Sequence, residues 1–501
     1  MSQLTDPKVS MRERVYAGWV GKSIGGSLGM PYEGVAGPIE LDLDQSGLEP
    51  VANDDLELQL LWLHALEEDG FADIAGSLEC AWLDHQEFHV DEYAIALQNL
   101  RRGISAPLSG YHGNWFERGM GAAIRSEIWA CLSPGDPQTA ARLAHLDACV
   151  DHCGEGIEAE KLLAAMQSLV LVGTPLRDAI AESSAVLRVE SRFRPLIEQL
   201  VGLPPDRLDD LQAFAELMAP VNHHNFTDCL MNVGYTLWAL LAGRGDFDQT
   251  MRRVIRCGQD TDCTAATAGA TLGMMGGLAA IPEKHRRRAT DAVVVSPHLA
   301  GLGLPATLEA LSDRVLSLAA GFDSSSAAVY LAEPAGVSES PIDDGAAVRA
   351  EPLASTSDAA VHAMARRAWA RDDDGGVLRA AELGRGVALG PALAGRPVAD
   401  LMVTTGITVD QSVDGWLMLA AGAGLTAWLD DSLLMDYHGR RPVLPAVHRT
   451  EGGAAVPISW RAGEPRRLTL RLLGVRPETR LFILAARADR SLLLPRLAGK
   501  R

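Results

Sequence analysis

The sequence predicts a multidomain protein, an all-α domain followed by a smaller all-β sandwich, and three observations predict it. A chain of 501 residues exceeds what one hydrophobic core usually serves, so two domains are expected. From about residue 75 to 320 apolar residues recur at three- and four-residue spacing, with breaks at glycine or proline and no alternating strand. The stretch from Glu333 to Ala360 is then poor in apolar residues and rich in Ala, Ser, Pro, Glu and Asp, and beyond it the period changes. The expected boundaries are a helical domain over 1–332, a linker over 333–360 and a β-domain over 361–501.

The elements follow in order. Val15, Trp19, Val20 and Ile24 fit an amphipathic helix running into the glycine-rich stretch Gly25 to Gly34, where Pro31 pushes Met30 out of the helical region and leaves Glu33 on a loop. Leu56, Leu60 and Leu63 give the next helical stripe, and Asp54 with Glu57 has capping-box spacing. The segments Thr139 to Val150, Glu158 to Val172 and Cys229 to Ala242 read as helices, separated by Ser133 to Pro137, Gly202 to Pro205 and Gly243 to Gly245. In the second domain, Leu401 to Thr405, Gly415 to Ala420, Leu468 to Leu473 and Leu481 to Ala485 read as strands. Leu425 to Leu429 and Ser432 to Met435 read as a hairpin turning at Asp430-Asp431. Trp416 and Trp428 read as core residues rather than sugar platforms.

Composition narrows the function. The formal net charge of −20 argues against nucleic-acid binding through a general electrostatic field, while leaving room for a phosphate-bearing ligand received by cations or backbone amides. No apolar run reaches membrane-spanning length, and the start lacks the basic and apolar regions of a signal peptide. The seven cysteines are scattered without metal-type pairing and read as reduced thiols, so a cytoplasmic location is expected.

The chemistry concentrates in acidic turns. In Gly258-Gln259-Asp260-Thr261-Asp262-Cys263-Thr264 two carboxylates stand two residues apart before a run of small residues. Positions i and i+2 of a helix point to different faces, so Asp260 and Asp262 converge only if the turn is non-helical. Helix capping explains Asp262 well and Asp260 less well. In Asn53-Asp54-Asp55 only one residue can occupy a cap, and adjacent carboxylates repel unless a cation or donor lies between them. Gly119 and Gly121 stand ahead of a helix start, where free amides could receive an anion. His152 sits at a helix break, as a hydrogen-bonded structural histidine or a ligand contact; His223-His224 lacks zinc spacing.

The order and spacing of these stretches, Gly25 to Gly34, Asn53 to Asp55, Gly119 to Arg125, Asp147 to Gly156 and Gly258 to Pro282, resemble the ADP-ribosylglycohydrolase family, also called the dinitrogenase-reductase-activating glycohydrolase-like or ADP-ribosylhydrolase family. The resemblance implies an orthogonal helical bundle with two Mg²⁺ ions, replaceable by Mn²⁺. Asn53, Asp54, Asp55, Asp260 and Asp262 would then be ligands, and Glu33 and Asp55 would stand at the reacting water or ribose. It also implies Gly119, Gly121, His152 and Gly156 as substrate contacts, and as partner an ADP-ribose-containing small molecule or ADP-ribosylated protein. The chemistry it implies is glycosidic hydrolysis through an oxocarbenium-like transition state. Five converging carboxylates would raise one another's pKa unless cations offset their charge, and hard oxygen donors suit Mg²⁺.

The departures from the pattern are Asn53 and Cys263, which stand where the family usually has Thr, and Thr or Ser. The second domain resembles a galactose-binding-like β-sandwich, with glycan binding, oligomer contact or a cover over the cleft as its candidate roles. Hydrolysis of a small nucleoside-like metabolite and a non-catalytic binding or structural role remain the alternatives.

Overall fold

The computed structural model describes residues 9–43, 52–223, 225–299, 301–323, 347–352, 377–379, 386–389, 397–430, 432–437 and 455–497. Their contacts divide into two units: residues 1–88, 100–111 and 117–337, and residues 89–99, 112–116 and 338–501. Ala94, Ile95 and Phe116, within the span expected to be helical domain, therefore belong with the β-strands.

The first unit is helical, and its centre is an antiparallel pair, Met11–Gly29 and Thr261–Gly276. The first of these is buried nearly all round and runs through Gly25, Gly26 and Gly29. It is longer and less amphipathic than its apolar spacing predicts. Glycine has no side chain to hold the helices apart: a Cβ on Gly21, Gly25 or Gly29 would overlap the backbone at Gly269, Ala265 or Thr261, and one on Gly273 would overlap that of Ala17. The favourable packing of two backbones outweighs the helix-interior cost of glycine, about 1 kcal/mol each. Arg14, buried, donates to the carbonyls of Met274 (2.9 Å) and Met275 (2.5 Å) and so satisfies the far end of the partner helix.

Contrary to the sequence expectation, Met30 stays helical (φ −45°, ψ −42°) and Met30–Tyr32 form a 3₁₀ turn. The proline restriction on the preceding residue is a preference that the packed helix end overrides. The chain then turns back as β1 (Val35–Ala36), pairing antiparallel with β2 (Gly258–Gln259). This two-stranded ribbon ties the end of one central helix to the start of the other.

The helices Glu155–Leu171 and Cys229–Gly243 pack on this pair and Pro137–Ala148 packs on Glu155–Leu171, and the three match the predicted segments to within a few residues. Trp19, Trp62, Trp82, Trp129 and Trp238 are fully buried among them. Among the described residues no helix is long and apolar enough to cross a membrane.

In the second unit the remaining strands form two sheets. One holds β5 (Val387–Ala388), β7 (Val413–Ala420), β10 (Ala455–Trp460), β12 (Arg480–Arg487) and β13 (Leu492–Leu493), with β10, β7, β12 and β13 in that order. The other has the order β4 (Val377–Arg379), β3 (Ala347–Pro352), β6 (Val398–Thr408), β11 (Arg466–Val475), β8 (Gly424–Leu429) and β9 (Ser432–Tyr437), with β14 (Arg496–Leu497) on β6. Strand β3 lies inside the stretch that composition marks as linker, and it pairs antiparallel with β6.

The sheets pack as a sandwich over Leu401, Val403, Leu417, Leu419, Leu470 and Ile483. The opposite face of β7 and β12, through Met418, Leu484 and Ala486, is covered by Ala94, Ile95 and Phe116. That second cover explains why β12 reads as a continuous apolar run rather than an alternating one. Trp428 is buried, and Trp416 is partly buried with the Arg490 guanidinium 4.5 Å from its ring centroid, in keeping with core roles.

Candidate active site

Three chain segments deliver the acidic residues to one place. The Asp54–Asp69 helix is capped by Asn53, whose side-chain oxygen accepts from the Asp55 amide at 3.0 Å. The capping residue is thus Asn53, not Asp54, and the predicted capping box is not formed. Glu57 instead reaches Ser296, binding both its amide and, at 3.0 Å, its hydroxyl. Asp54 and Asp55 therefore occupy the first turn with no capping duty. The Asn53 amide nitrogen faces Asp262 at 3.4 Å, linking the two acidic turns.

The second turn is non-helical only as far as Asp260. Gly258 and Gln259 have φ of +72° and +69°, a conformation that costs free energy at Gln259 and that the ribbon with Val35–Ala36 imposes. Asp260 (φ −88°, ψ 70°) then stands at the N-cap of Thr261–Gly276 without making a side-chain cap hydrogen bond. Asp262 follows in the first helical turn. The Thr261 hydroxyl donates to the Gly29 carbonyl at 2.9 Å, which fixes this turn to the end of the first helix and so brings in the loop of Glu33.

Asp55, Asp260 and Asp262 are buried, Asn53 and Asp54 half-buried and Glu33 exposed. Burial pushes the carboxyls of Asp55, Asp260 and Asp262 well above the ordinary carboxylate range, and their acidic neighbours, Glu33 and Asp54 among them, push further. Both carboxylate oxygens of Asp55, and Oδ1 of Asp262, have no hydrogen-bond partner among the described residues. One ligand atom each from Asp55, Asp262 and Cys263 lie within 4.8 Å of one another, a group able to hold a metal ion. Unsatisfied buried carboxylate oxygens are costly, and a cation satisfies them, so the donor set fits a metal.

Sequence reasoning missed the cation already present. Lys22, buried on the first helix, donates to the Ile124 carbonyl (2.7 Å) and to Glu127 (3.1 Å), with Asp55 at 3.7 Å. Gln59 donates to Glu127 at 2.9 Å and accepts from the Ile128 amide at 2.9 Å. A lysine within an otherwise apolar helical stretch was the one available signal.

The other predicted site residues form a separate buried network. Arg125 donates to Asp147 (2.8 Å) and, through both terminal nitrogens, to Asp151 (2.6 and 3.0 Å), and lies 5.7 and 5.5 Å from the ring centroids of Trp62 and Trp82. His152 is fully buried. The Ala122 amide donates to its Nε2 at 3.3 Å, which puts the proton on Nδ1, where it faces Asp151 at 2.8 Å. Both ring nitrogens are thus engaged within the protein. A Cβ on Gly156 would overlap the Glu117 carbonyl, so Gly156 lets the loop carrying Gly119 and Gly121 pack on the Glu155–Leu171 helix. Gly119 and Gly121 are themselves buried.

A helical unit that gathers buried carboxylates and a thiol at helix starts has a donor set that could hold a metal ion. The chain belongs to the ADP-ribosylglycohydrolase family, whose sequence profile matches residues 7–321, and it is accordingly a hydrolase of glycosidic bonds. Solved structures similar to it include one described as an ADP-ribosylglycohydrolase-related protein complex, 20% identical over 62% of this chain and 99% of that one, with a TM-score of 0.44. Another is an anti-sigma factor domain-containing protein from Clostridium clariflavum, 15% identical over 20% of this chain and 33% of that one, with a TM-score of 0.16. No curated protein matches the chain.

Proposed function

We propose that the protein hydrolyses an ADP-ribosyl N- or O-glycosidic bond with divalent cations, Mg²⁺ by family resemblance, held by Asp54, Asp55, Asp260 and Asp262. The observation that carries this reading is Asp260, which occupies a cap position yet does not cap, beside Asp55 and Asp262 oxygens that lack hydrogen-bond partners among the described residues. When bound, the cations would lower the pKa of a water and hold the ribose hydroxyls while the anomeric bond breaks.

The chain's own residues do the rest. Asp55 and Asp262 hold negative charge beside the developing oxocarbenium ion, and Glu33, on its exposed loop, orients the attacking water or takes its proton. Asn53 acts here as a positioning residue: its oxygen fixes the helix start and its nitrogen faces Asp262. Lys22 pairs with Asp55 at 3.7 Å and with Glu127 at 3.1 Å from behind the site. His152, Gly119, Gly121 and Gly156 shape the substrate side of the site, with His152 acting through the Ala122 amide.

Release of ADP-ribose from ADP-ribosylated peptides with arginine and serine linkages, with Mg²⁺ and with chelator, tests the proposal. Cation-dependent release supports it. Release from neither peptide alongside cleavage of a simple nucleoside would favour a metabolite hydrolase.

A further inference from the structure

We infer that Cys263 is a metal ligand in this chain, and that its sulfur makes the position it reaches prefer a borderline transition cation over Mg²⁺. This rests on the metal-site reading above and deepens it. The Cys263 sulfur lies in the same 4.8 Å group as one oxygen each of Asp55 and Asp262, and all three residues are buried. Asp55 is 2% exposed and Asp262 4%, and three of their four carboxylate oxygens are without a hydrogen-bond partner among the described residues. A cation between those oxygens would meet the sulfur as its next donor.

The chemistry of that donor sets the preference. Mg²⁺ demands compact octahedral oxygen coordination and gives up water reluctantly, whereas thiolate ligands favour softer metals such as Zn²⁺ and Co²⁺. A serine or threonine hydroxyl in the same place would be a hard donor with no such bias. None of the seven cysteines is in a disulfide, and Cys80 is the exposed one, so a second thiol is available as a control.

The test is an anaerobic Co²⁺ titration of the full chain followed by absorption, with calorimetry of Co²⁺ and Mg²⁺ alongside. A sulfur-to-cobalt charge-transfer band should grow to saturation, persist in Cys80→Ser and vanish in Cys263→Ser. The ratio of Co²⁺ to Mg²⁺ affinity should fall about tenfold in Cys263→Ser, as exchange of a sulfur for an oxygen donor predicts. X-ray absorption of the Zn²⁺-loaded parent requires no variant and should show a sulfur neighbour at about 2.3 Å, the length of a zinc–thiolate bond. Cation binding without the band and without that sulfur neighbour would overturn the role of Cys263 and leave the metal site standing. Calorimetric silence with both Co²⁺ and Mg²⁺ would overturn both.

Discussion

Asp262 and Asp55 are placed where a purely structural chain gains nothing from them. Each is a buried carboxylate whose pKa burial raises, close to others of like charge. Replacing Asp262 with Asn should therefore make the cation-free protein more stable, by about 1 kcal/mol, because a neutral isostere relieves the crowding. The same change should lower turnover at least about a hundredfold, since a lost ligand removes a few kcal/mol of transition-state stabilisation. A thermal melt in chelator beside an activity assay separates this from a capping role, in which stability would fall by about 1 kcal/mol and activity would survive. Asp151 behaves in the opposite sense. Burial would raise its carboxyl, but Arg125 and His152 outweigh burial and hold it at about 2. Its contribution is thus fully present above the unfolded value of about 4 and is lost as pH falls through 2. Asp151→Asn should cost about 3 kcal/mol at neutral pH by leaving Arg125 one buried partner short, and denaturant melts should show the gap to the parent closing between pH 4 and 2. The acidic site residues were legible in the sequence because carboxylates in succession exceed what any cap can use. Lys22, Gln59 and Glu127 were not, because single polar residues within helical stripes give no sign of which neighbour they will meet across the fold.

The helices themselves do less for the site than the way two of them meet. Gly21, Gly25 and Gly29 touch the backbone of the Thr261–Gly276 helix, and this close approach sets Asp262 beside Asn53 and the Glu33 loop. Gly25→Val should therefore act on both stability and function. It forces the helices apart, with a cost of about 3 kcal/mol from overpacking, and any protein that still folds should bind divalent cations weakly. Parental stability and cation affinity, measured by denaturant melt and calorimetry, would show the contact to be dispensable. The sequence shows a glycine-rich stretch running on from the first helix, but not that the helix continues through it to Gly29. Glycine's low helix propensity argues for a break, and only the partner helix, 240 or so residues away, reverses that preference. Strands β6 to β9, β11 and β12 were legible from their turns and apolar runs, whereas β10, with exposed positions and a proline, carried too little alternation to be seen.

At the scale of the whole chain, the sandwich is completed by residues from far upstream in sequence. Ala94, Ile95 and Phe116 cover Met418, Leu484 and Leu492, and the Leu494 amide donates to the Gln98 side chain at 2.9 Å. We propose that a fragment ending at residue 332 would leave that apolar surface uncovered, so it should bind a hydrophobic dye and melt below the full chain. A fragment that melts with the full chain and binds no dye would establish the sequence-derived boundary at 332 instead. Composition could not reveal this, since helix Asp91–Arg101 carries the same periodic pattern whichever surface it covers. The central claim is that the acidic turns hold a divalent cation on which recognition of ADP-ribose depends. It is tested most directly by calorimetric titration of ADP-ribose into the full chain and into Asp262→Ala, each with Mg²⁺ or Mn²⁺ and with chelator. Binding by the parent only when cation is present, and its loss in Asp262→Ala, is the predicted result. Equal binding in chelator, or undiminished binding by Asp262→Ala, would contradict it.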